Sequence, residues 1–157
     1  MKKIILGAVV LFTVVSAKAQ SSNLKFGIGL DLGIPAHNLG GSSIAAGADL
    51  MAEYGISKEV ALTGDVGYTA LFAKNGGKTT NIIPLRAGLR FYPGSNFFIG
   101  GKIGAGFLSG NGSVTTTAYS LGGGFKIDKQ LELGASYDGY SKNGTVGLVN
   151  FRLGYFF

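Results

Sequence analysis

His37 is the single histidine of the chain, and histidine is the side chain best suited to general-base work near neutral pH. It stands in "IPAHNLGGSS", ahead of Ser42 and Ser43, so a His–Ser hydrolase or acyl-transfer centre is the first chemistry to weigh. Such a centre needs a carboxylate to orient the imidazole. The nearest are Asp31 and Asp49, and both belong to a strand face that a loop histidine does not share. A solvated loop histidine is the plainer reading. One histidine also excludes a multi-histidine metal centre within the chain, and the lack of cysteine excludes disulfides and thiolate sites. "GIGLDLG" and "GGGF" are glycine-rich, but no helix follows either, so neither reads as a phosphate loop. No metal and no cofactor is expected.

The second candidate chemistry lies in twelve charged residues. Lys25, Arg86, Arg90, Lys102, Lys126 and Arg152 match Asp31, Asp49, Glu53, Asp65, Glu132 and Asp138 in number. Paired carboxylates can serve as acid and base. With as many cations beside them, ion pairing is the stronger expectation, because charges removed from water must be paired.

The elements that carry these residues alternate with period two, and no helical period appears. "KFGIGLDLGI" sets Phe26, Ile28, Leu30, Leu32 and Ile34 against Lys25, Asp31 and glycines. "IIPLRAGLRFY" sets Ile83, Leu85, Leu89 and Phe91 against Arg86, Gly88 and Arg90. Similar alternation runs through "IAAGADLMAEY", "VALTGDVGYTALF", "FFIGGKIGAGFL", "TAYSLGGGFKI", "LELGASYDGY" and the closing "VNFRLGYFF". That makes eight strands of about ten residues, the length a tilted strand needs to cross a bilayer. An even count suits a closed up-and-down barrel. The connections 56–59, 93–96 and 128–130 read as tight turns. The connections 35–43, 74–80, 109–115 and 141–145 read as mostly longer, glycine- and serine-rich loops on the opposite rim. The tight set is expected to face the periplasm, with both termini.

All twelve charges fall on one face of the strands, and the apolar face carries none. A soluble barrel would enclose the bulky apolar set and place its glycines outside, where space is free. The inverted barrel points glycines inward, which leaves room for arginine, lysine and carboxylates in an eight-stranded interior that side chains just fill. Charge on a lipid face costs about 2–4 kcal/mol at the midplane. Tyr54, Phe72, Phe91, Tyr92, Phe97, Phe107, Tyr155 and Phe157 sit near strand ends, as interfacial girdles do. The fold class expected is all-β, an eight-stranded antiparallel up-and-down transmembrane β-barrel.

Residues 1–19 stand apart. Lys2 and Lys3, an apolar run over 4–15, and Ala17-Lys18-Ala19 make a secretory signal peptide. The barrel domain is then 20–157. The chain's formal charge of +6 includes Lys2, Lys3 and Lys18, so the mature chain keeps a charge of three. That excess and the export signal argue against nucleic acid as a partner. "NGS" at Asn111 and "NGT" at Asn143 match the glycosylation sequon but read as turn chemistry.

The mature chain resembles the small outer-membrane β-barrel proteins of the OmpA/OmpX type, often labelled porin-like. The eight alternating strands and the terminal "FRLGYFF" carry the likeness. It implies a Gram-negative outer-membrane location, contact with outer-membrane lipid and lipopolysaccharide, and, as partners, periplasmic chaperones and the outer-membrane assembly machinery, with the barrel itself a monomer. In such proteins a last strand of alternating aromatics ending in Phe is read as the assembly signal, which falls here on Phe151, Leu153, Tyr155 and Phe157. Lys74, Lys78 and Lys142 on the external loops either touch lipopolysaccharide phosphates or stay solvated. Three functions remain open: a non-enzymatic structural or loop-interaction barrel plugged by lumenal ion pairs, a narrow porin-like channel, and a lipid A-modifying enzyme that would use His37.

Overall fold

The computed structural model describes residues 23–37, 42–73, 79–110, 112–142 and 144–157. Eight strands follow in chain order: β1 (Leu24–His37), β2 (Ser42–Gly55), β3 (Val60–Ala73), β4 (Thr80–Phe91), β5 (Phe97–Ser109), β6 (Ser113–Lys126), β7 (Leu131–Ser141) and β8 (Thr145–Phe156). Each pairs antiparallel with its neighbours, and β1 closes on β8. Closure satisfies every ladder and leaves no open edge, the condition for a sheet to span lipid.

The alternation sorts the faces. Leu30, Leu121, Ile103, Phe151 and their like point outward and are exposed, with Leu121 at 71% and Phe157 at 65%. Asp49, Glu53, Asp65, Arg86, Arg90, Glu132 and Asp138 point inward and are buried. On the outer face of β6–β8 two rings cover glycines: Tyr119 lies over Gly139 and Tyr137 over Gly147. The two tyrosine rings are 6.5 Å apart.

The strands are longer than the sequence suggests, at 11–14 residues, and the connections on the rim away from the chain ends are correspondingly short. The expected 109–115 loop shrinks to 110–112, because Ser113–Thr117 keep pairing with Ala105–Ser109 of β5. The 141–145 loop shrinks to 142–144 in the same way. Gly110 N–H donates to Gly112 C=O at 3.1 Å, and Lys142 N–H to Gly144 C=O at 3.2 Å, closing both turns. Serine and threonine that read as loop composition are here strand residues outside the apolar span. Loop length therefore does not distinguish the two rims. The rim holding both chain ends is called the terminal rim below, and the other the loop rim.

Four of the six lumenal cations face glycine across the sheet. Arg86 faces Gly104, Arg90 faces Gly100, Lys102 faces Gly88 and Arg152 faces Gly134 across their ladders. A Cβ on Gly104 would lie 2.8 Å from the Arg86 Cα, and one on Gly88 2.6 Å from the Lys102 Cα. These are approaches only glycine permits.

Candidate functional site

The lumen holds three groups of charged side chains. Nearest the terminal rim, Arg90 of β4 reaches across the barrel. Its Nη1 donates to Glu132 Oε2 at 2.8 Å and Glu53 Oε2 at 3.1 Å, and its Nη2 to Glu132 Oε1 at 3.2 Å. The fork geometry with Glu132 is the bidentate pairing that guanidinium makes best. Tyr92 donates its hydroxyl to Glu53 at 2.6 Å. The Arg90 guanidinium rests 4.1 Å from the Phe98 ring centroid, and the Lys126 ammonium 3.9 Å from that of Tyr92. Lys126 Nζ is also 3.9 Å from Glu53.

At mid-lumen Arg86 binds two carboxylates. Its Nε and Nη2 donate to Asp65 at 2.9 and 3.3 Å, and its Nη1 to Asp138 at 2.7 Å. Lys102 pairs with Asp65 as well. Asp138 gains three more donors: Ser120 at 2.6 Å, Ser136 at 3.0 Å and Asn150 at 2.9 Å. The third group joins β8, β1 and β2. Arg152 donates to both oxygens of Asp31, at 3.0 and 3.3 Å, and pairs with Asp49. The buried Oδ1 atoms of Asp49 and Asn150 have no hydrogen-bond partner among the described residues.

Eleven of the twelve lumenal charges read from the sequence are thus drawn into contact. Lys25 is placed differently. It faces Glu53 across the β1–β2 ladder but sits exposed at the mouth, with no ion pair among the described residues. Tyr92 is a correction. It was expected in the aromatic girdle, but it lies past the end of β4, where the turn swings its ring under Lys126 and into the lumen. Phe98 and Phe156 also turn inward and are buried near the terminal rim, and no charge marked them for that role. The remaining girdle residues Tyr54, Phe72, Phe91, Phe97, Phe107, Tyr155 and Phe157 are exposed on the outer face. Phe151, Leu153, Tyr155 and Phe157 form one outward stripe on β8 and the chain end.

A cavity of about 50 Å³ remains in the ionic half. Arg86, Arg90, Lys102 and Arg152 line one side, and Gly122 and Gly134 the other. Charged and hydroxyl groups reach into it beside Leu89 and Phe98, and it is large enough for ordered water. Among the described residues no cluster of His, Asp or Glu is arranged to hold a metal ion. His37 ends β1, but its side chain, those of Ser42 and Ser43, and residues 1–19, Lys74, Lys78, Asn111 and Asn143 lie outside what is described. Lys142 is exposed on the loop rim.

No curated protein sequence matches the chain. Its fold is similar to that of solved outer-membrane barrels. Ail, the attachment invasion locus protein of Yersinia pestis, shares 20% identity at a TM-score of 0.65, covering 86% of this chain and 98% of Ail. The N-terminal β-barrel domain of Pseudomonas aeruginosa OprF shares 16% at 0.64, covering 85% and 97%. Neisserial surface protein A shares 14% at 0.57, covering 85% and 97%. Residues 4–157 match the family described as outer membrane protein beta-barrel domain. The chain therefore belongs to that family, and its place is the outer membrane of a Gram-negative bacterium.

Proposed function

We propose that this protein is a non-enzymatic, closed outer-membrane barrel with a structural or loop-mediated role. Residues 1–19 serve as its export signal and residues 20–157 as the working domain. The observation that carries this reading is the filled lumen: three cross-barrel groups of ion pairs link β1, β2, β3, β4, β5, β6, β7 and β8 side chains. Each buried guanidinium faces at least two carboxylate oxygens, so moving one out of place costs several kcal/mol. The network fixes the barrel's shape and narrows the lumen.

The loop rim carries only cations in its connections, Lys74, Lys78 and Lys142, which suits lipopolysaccharide phosphates outside the cell. Both termini then face the periplasm. The outward stripe of Phe151, Leu153, Tyr155 and Phe157 serves as the assembly signal during insertion, delivered by periplasmic chaperones, and the barrel works as a monomer. The second reading is a narrow channel, favoured by the cavity against the glycine wall.

Planar-bilayer conductance of the refolded mature barrel separates the two, with an unheated gel-mobility shift to show that it has folded. The closed barrel gives no reproducible steps. Discrete steps would overturn it in favour of the channel.

A further inference from the structure

The lumen changes character towards the loop rim. Beyond Asp138 and Asn150 a ring of inward positions is formed by Ala45, Leu71, Ile82, Ala118, Tyr140 and Leu148, each between 0 and 2% exposed, and past it the buried Thr116 hydroxyl donates to Gly106 C=O. They come from β2, β3, β4, β6, β7 and β8, and Leu108 of β5 packs against them. Gly33 of β1 completes the circuit, since a Cβ there would lie 3.2 Å from the Ala45 Cβ. Ladder register holds the ring together: Ala45 faces Leu71, Ile82 faces Leu108, and Ala118 faces Tyr140. Every strand contributes one inward position, and none of those positions is charged.

The two halves present different barriers. In the ionic half Lys102, Lys126 and Arg152 keep 13–22% of their side chains exposed, and the cavity lies beside Lys102 and Arg152. Water there finds donors and acceptors on several sides. In the apolar ring an entering ion would lose its hydration with at most the Tyr140 hydroxyl in exchange, and narrow apolar constrictions expel water.

We propose that the seal against permeation is this apolar ring, and that the ion-pair half beneath it is a hydrated vestibule reached from the terminal rim. This deepens the closed-barrel reading and rests on it. The ion pairs then lock the barrel's shape, and the ring stops flow.

The test is planar-bilayer conductance of two folded variants against the unsubstituted barrel. Leu71→Asn combined with Ile82→Thr makes the ring polar at little change in size, and discrete steps are expected where the unsubstituted barrel gives none. Arg90→Gln combined with Glu132→Gln removes one full ion pair, and silence is expected. Leu148→Ala only removes volume from the ring; it is expected to give smaller steps and serves if the polar variant does not fold. Silence from folded ring variants, or steps from the ion-pair variant alone, would overturn the inference while leaving the closed barrel standing. Steps from the unsubstituted protein would overturn the closed-barrel reading itself.

Discussion

Arg152 and Leu148 point into the same lumen from the same strand, and the barrel holds them by opposite means. Arg152 is held between Asp31 and Asp49 and faces Gly134 across the ladder. Leu148 is wholly buried and packs in an apolar cluster with Ala45, Leu71, Ile82, Ala118 and Tyr140. The ionic half is specific, because each charge must meet its partner; the apolar half is tight, because shape alone fills it. An eight-stranded barrel can therefore divide stiffness and closure between two ends of one small interior.

The comparison breaks first at Arg86. Arg86→Gln leaves Asp138 without its cation and Asp65 with Lys102 alone, and urea unfolding in vesicles is expected to show a loss of about 3–5 kcal/mol, the cost of an uncompensated buried charge. Leu148→Ala probes the other half. A fully buried leucine cut to alanine is expected to cost about 3 kcal/mol by the same assay, with no dependence on pH. Removing both partners sharpens the contrast. Arg90→Gln with Glu132→Gln leaves no lone charge in that pair, so its cost is expected to fall below that of Arg86→Gln, since replacing a whole buried pair is often close to neutral. Equal costs for the two would show that charge pairing does not set stability in the ionic half.

The smallest effect lies outside the lumen, at a turn of the terminal rim. Asp128 accepts from the Gln130 and Leu131 N–H groups at 2.7 and 2.6 Å. These bonds hold its carboxyl below the ordinary value of 3.8. A carboxyl lowered on folding stabilises fully above its unfolded pKa, and that contribution is lost as pH falls through the folded one. Asp128→Asn is expected to match the parent in acid and to fall slightly behind it at neutral pH. A deficit that persists unchanged in acid would count against this role.

Much of this was legible in the sequence where neighbours differ in polarity. In "LRAGLRF" each arginine is flanked by apolar residues, so both faces of β4 could be read. The ring was not legible for the same reason. Around Leu71, Ile82 and Leu148 the sequence reads "ALF", "NIIP" and "GLVN". Apolar residues sit side by side there, and period two does not say which one points inward. The partners of the charges were only half legible. Asp65–Arg86 and Asp31–Arg152 are direct ladder neighbours. Arg86–Asp138 and Arg90–Glu132 cross the lumen, and such pairs depend on the stagger of the closed sheet. Tyr92 escaped because its direction is set by a turn.

The division between a hydrated half and a sealed half is tested most directly by thiol accessibility. The chain has no cysteine, so Ser136→Cys places one reporter in the ionic half, beside Asp138. In oriented proteoliposomes a membrane-impermeant methanethiosulfonate is added from one side at a time. The account expects labelling from the terminal rim to outpace labelling from the loop rim by at least about tenfold, the mark of a dewetted constriction above the site. Equal rates from both sides, or faster labelling from the loop rim, would contradict it.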